Sequence, residues 1–150
     1  MKASSFLWIK VYLIFPFVPF LVEGFFRMSL NQSICIDSFN ASTYSLTIAL
    51  LCLFITQSLL SAGYNAENNE DRDERLSSAE TFKYLMLFTF SLFVGLIILD
   101  EINKKLLNTP YKDLLTACLY TIKVTAYVIS LLPISLALRA RQSFKLTTII

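Results

Sequence analysis

The chain has 150 residues, of which 55% are apolar and 16% charged, and a formal net charge of +2. Soluble domains carry charge on about a quarter of their residues, so this composition excludes an ordinary water-soluble domain and makes lipid the solvent for most of the chain. Histidine is absent and Cys35, Cys52 and Cys118 lie far apart, which leaves no Cys/His metal cluster, no Cys–His nucleophile pair and no cofactor motif, while the small net charge argues against direct nucleic-acid binding.

A bilayer core of about 30 Å takes about 20 apolar residues in a helix, and lipid offers backbone groups no partner outside their own element. Four runs meet this demand, at about 6–26, 43–64, 82–99 and 114–138. Each is continuously apolar rather than alternating, which predicts helices and not barrel strands. The expected fold is all-α: a polytopic four-helix transmembrane bundle forming a single domain.

In the first run Pro16 and Pro19 each remove a helical hydrogen bond, so a kink or hinge is expected there. The same prolines, together with Glu23 and the lack of an A-x-A triplet, argue against a cleaved signal peptide. Two formal glycosylation triplets follow, at Asn31 and Asn40. The second run carries no charge, and Ser45, Ala49, Cys52 and Thr56 share one face suited to close helix packing.

Residues 65–81 read as an acidic loop, with Glu67, Glu70, Asp71, Asp73, Glu74 and Glu80 against Arg72 and Arg75. Such a run is usually a solvated connection; here its first five carboxylates are also the best surface for docking a soluble partner. Ser77 and Glu80 form a capping box predicted to open the third helix. Within that helix Ser91 and Gly95 make a small-xxx-small pair for helix packing. Beyond it, Asp100/Lys104 and Glu101/Lys105 are i,i+4 pairs that extend the helix past the apolar run. Thr109 before Pro110 reads as the cap of the fourth helix.

The fourth run places Thr116, Tyr120, Lys123, Tyr127 and Ser130 at helical spacing, a polar face within an apolar helix. An intramembrane lysine costs on the order of 3 kcal/mol on insertion scales, so Lys123 is a functional candidate. Its structural alternatives are snorkelling or pairing with Glu23 or Asp100, and Glu23 is the expected partner.

Eight of the flanking Lys and Arg residues fall on one side of the four runs and four on the other. The positive-inside rule then puts both termini and 65–81 in the cytoplasm. No nucleophile–base pair or carboxylate pair can be assembled, so a non-enzymatic protein is expected. One small bundle fills its own interior, and function is therefore expected from a homo-oligomer or from a cytoplasmic protein partner.

Tyr12, Pro16 and Arg27 around the first run, with Ser42-Thr43-Tyr44 opening the second, resemble the small four-span protein of the phage lambda Rex exclusion system. Size, topology and the acidic inner segment resemble the membrane subunit of the bacterial Kiwa anti-phage system. The acidic segment departs from the Rex pattern, which is strongly basic there. The resemblance implies an inner-membrane defence component, oligomeric, that senses membrane perturbation and signals to or anchors a cytoplasmic partner. Immunity proteins against pore-forming bacteriocins and small oligomeric channel subunits share the same size and topology.

Overall fold

The structure is a computed structural model and describes residues 7–31, 40–64, 69–105 and 112–144. All described secondary structure is helical. An irregular entry segment, π-helical over Ile9–Ile14 and 3-10 over Phe15–Phe17, leads into α1 (Val18–Asn31); α2 (Ala41–Tyr64), α3 (Asn69–Lys105) and α4 (Lys112–Phe144) follow. Four helical runs, Ile9–Leu30, Ala41–Ser61, Asn69–Lys105 and Thr116–Phe144, are long and apolar enough to cross a membrane.

α2 is the hub of the bundle and packs most extensively on α3. α2 is buried on most of its faces, and one row of its buried residues, Ala41, Ser45, Ile48, Cys52, Ile55 and Leu59, recurs every three or four positions. On α3 the matching register is Ala79, Phe82, Met86, Thr89, Phe93, Leu96 and Asp100, buried or half-buried throughout. This is knobs-into-holes spacing. The small side chains anticipated on α2, Ser45, Ala49, Cys52 and Thr56, are all buried, so the bundle itself uses that face. Ser45 and Thr56 spend their hydroxyls on the backbone carbonyls of Ala41 and Cys52, which keeps them satisfied without water.

The prolines of the first run act as expected on the backbone. Pro16 has no N–H and its ring would strike the carbonyl one turn back, and ahead of it the helix widens so that the Phe15 N–H bonds the Lys10 carbonyl. Pro19 cannot bond the Phe15 carbonyl, and the Val18 N–H takes it instead in a 3-10 turn. The segment is tethered at two levels. Trp8 is fully buried, donates from Nε1 to Ser58 Oγ at 3.2 Å and carries the Arg141 guanidinium 5.5 Å over its ring. Further along, Phe17 and Phe20 pack against Tyr44, whose ring also meets that of Tyr127 in a tilted contact at 4.8 Å between centroids.

The acidic segment differs from its expected form. From Asn69 onward it is the opening of α3 and not a loop, so Ser77 and Glu80 lie inside the helix and do not cap it. Glu70 and Asp71 fall in the first turn, where carboxylates favour the helix dipole. Ala79 and Phe82 then anchor the helix on the core, and Arg75 lies 5.5 Å over the Phe144 ring at the end of α4. At 37 residues α3 is about 55 Å long, more than a bilayer core requires. Glu67, Thr109 and Pro110 lie outside the described residues.

The outer surface of the bundle is apolar: Leu87, Val128 and Leu131 are each more than half exposed. Lipid-facing helices look like this, and water-soluble monomers do not.

Candidate functional site

At the end of the bundle remote from Trp8, two registers deliver opposite charges to one point. The buried face of α4 runs through Leu119, Ala126, Ser130, Pro133, Ala137 and Ala140, and Lys123 occupies the position between Leu119 and Ala126. Asp100 ends the α2-facing register of α3. Lys123 Nζ sits 2.8 Å from Asp100 Oδ1, with the two side chains 31% and 26% exposed. The lysine therefore turns toward α3, where its ammonium finds a carboxylate.

Its partner is not the one expected. Glu23 bonds Arg27 one turn along its own helix, at 2.7 Å. An i,i+4 partner is held by local geometry alone, which leaves Asp100 for Lys123. The anticipated Asp100/Lys104 pair is correspondingly absent among the described ion pairs, and Lys104 instead stands 3.6 Å from Glu101.

The ion pair lines a cleft of about 440 Å³ bounded by α3, α4, the start of α2 and the Arg27 side chain. Tyr120 and Tyr127 form one wall and Asn103 another, with the Asn103 Oδ1 atom buried and without a hydrogen-bond partner. Asn40 also borders it. Its Oδ1 accepts from the Ser42 N–H at 3.2 Å and its carbonyl accepts from the Tyr44 N–H, making it the N-cap of α2. The anticipated polar face of α4 is thus divided. Ser130 is fully buried and donates to the Ala126 carbonyl at 2.6 Å, Tyr127 is half-buried against Tyr44, and Tyr120 is exposed.

No family model matches the chain, and no curated protein or solved structure is significantly similar to it.

The second group of anticipated residues, Glu70, Asp71, Asp73 and Glu74, is fully displayed: all four are exposed on the first turns of α3, at the Trp8 end. They do not meet Lys123. One helix nevertheless carries both features, the acidic arm at its start and Asp100 near its finish. The packing pair Ser91 and Gly95 also behaves unlike the small face of α2. Ser91 is exposed, and a Cβ placed on Gly95 would have nothing within 4 Å. Both border a shallow apolar groove with Phe88, Leu92, Leu99 and Ile122. Among the described residues no group of three or more Cys, Asp or Glu is arranged to hold a metal ion.

Proposed function

We propose that this protein is a multi-pass inner-membrane docking and signalling subunit, with both termini and the acidic arm in the cytoplasm and the Asp100–Lys123 cleft at the outer face. The observation that carries this reading is the continuity of α3, a single helix from the exposed Glu70–Glu74 cluster to the ion pair with Lys123. A rigid helix transmits displacement along its length, whereas the flexible loop expected from sequence would absorb it.

The arm presents four carboxylates in two turns, and its match is a basic surface on a soluble cytoplasmic protein. The partly buried ion pair is the element that responds, because its strength depends on how much water and lipid headgroup enter the cleft. The resemblance to four-span subunits of anti-phage systems gives the setting, in which bilayer perturbation by an infecting phage is the stimulus. Ser91 and Gly95, left open on the apolar surface, support association of several copies.

Affinity purification of the tagged protein from its native host tests this reading. A soluble partner is expected with the wild type at low salt, and its loss with Glu70→Gln/Asp71→Asn/Asp73→Asn/Glu74→Gln, which still inserts. Equal recovery of the partner with both proteins refutes the docking role.

A further inference from the structure

At the Trp8 end, α3 and α4 enclose a second pocket of about 290 Å³, separate from the ion-pair cleft. Phe82 and Leu136 line the side toward the bundle centre, while Ser78, Arg139 and Ser143, together with the Phe144 ring, line the side toward the helix ends. The apolar runs of the sequence begin at Phe82 and end at Leu138. The pocket therefore straddles the level at which α3 and α4 pass from apolar to polar surroundings, where phospholipid headgroups lie.

Arg139 is the only charged residue in the lining. None of the lining residues is a carboxylate, and Arg139 makes no ion pair among the described residues. The ion-pair cleft, by contrast, already neutralises Lys123 with Asp100. Thr81, which also borders the pocket, has committed its hydroxyl hydrogen to the Ser77 carbonyl and is left as an acceptor. A guanidinium and two serine hydroxyls supply donors to a phosphodiester, and Thr81 can accept from a headgroup hydroxyl. Basic pockets between membrane helices on the cytoplasmic side are known anionic-lipid sites in general.

We propose that this pocket binds the headgroup of an anionic phospholipid, with the phosphodiester on Arg139 and the first acyl carbons against Phe82 and Leu136. The site rests on the membrane placement proposed above and is independent of the docking role. It sits beside the base of the acidic arm, where the identity of the lipid bears on the packing of α3 against the end of α4.

The test is a titration of the purified full chain, in mild detergent, with short-chain phosphatidylglycerol and phosphatidylcholine, read by native mass spectrometry. Phosphatidylglycerol is expected to bind more tightly, and Arg139→Gln to weaken it roughly five- to tenfold. Lys83→Gln, an exposed charge on α3 outside the pocket, is expected to leave it unchanged. If Arg139→Gln does not elute as folded protein, Arg139→Lys keeps the charge without the bidentate fork and is expected to give a smaller loss. Equal binding of the two lipids, wild-type affinity in the Arg139 variants, or full displacement by millimolar inorganic phosphate overturns the assignment. Because no soluble partner takes part, failure here leaves the docking reading standing, and the converse holds.

Discussion

Replacing Lys123 with methionine keeps the stem and removes the charge, so its effect measures what the Asp100 pair contributes. At 2.8 Å two unit charges attract by about 6 kcal/mol at an effective dielectric near 20 and about 1.5 kcal/mol in bulk water. With roughly a quarter to a third of each side chain exposed, the pair lies between these limits, and dehydration of both groups offsets much of the gain. Stranding a fully buried partner costs about 3–5 kcal/mol, and one that keeps part of its hydration costs less, about 2 kcal/mol. For a domain of this size that is a loss of about 4–8 °C in Tm. Lys123→Met is expected to lose this much by thermal unfolding in detergent, Asp100→Asn a similar amount, and the double variant much less than their sum. Glu23→Gln added to Lys123→Met should be merely additive, since Glu23 bonds Arg27. Rescue of Lys123→Met by Glu23→Gln but not by Asp100→Asn would refute the pairing.

In single-cysteine variants, Cys118 is expected to react with a small apolar maleimide in the folded state and Cys52 only after denaturation, because the first is exposed and the second fully buried. Ile55→Ala opens the α2 core and should cost about 2 kcal/mol or more, whereas Leu131→Ala on the outer surface should cost under about 0.5 kcal/mol; paired thermal melts compare them. A cysteine placed at Glu74 should resist a membrane-impermeant thiol reagent in intact cells and react after permeabilisation. Labelling in intact cells reverses the proposed orientation.

The four-helix architecture was legible because its cause is local: lipid demands long, continuously apolar helices, and only four such runs exist. The proline disturbance was legible for the same reason, since a missing N–H needs no tertiary context. Lys123 as an inward-facing charge followed from the cost of exposing it to acyl chains. Its partner did not, because choosing between Glu23 and Asp100 requires knowing that Arg27 lies one turn from Glu23 and that Asp100 falls on the α3 register set by Ala79, Phe82, Thr89 and Leu96. That three-and-four spacing is written in the sequence and was the available signal. The start of α3 was misplaced because Ser77 and Glu80 fit a capping box. Helix-favouring Glu and Arg upstream, with Ala79 and Phe82 anchoring the helix, outweigh that local pattern. Asn40, which heads a formal glycosylation triplet, serves as the N-cap of α2, since its Oδ1 accepts from the Ser42 N–H two residues on. The pocket at the Trp8 end was not legible at all: Ser78 and Arg139 are far apart in sequence and line one pocket only through the α3–α4 pairing.

Continuity of α3 is most directly measured by double electron–electron resonance on the protein in lipid nanodiscs, with spin labels at Glu74→Cys and Glu101→Cys, two exposed positions, in a background free of other cysteines. A helix unbroken between them spans 27 residues and gives one narrow distance of about 40 Å. A broad distribution centred below about 30 Å contradicts it, because it is the signature of an acidic loop joined to a helix that starts only at the apolar run.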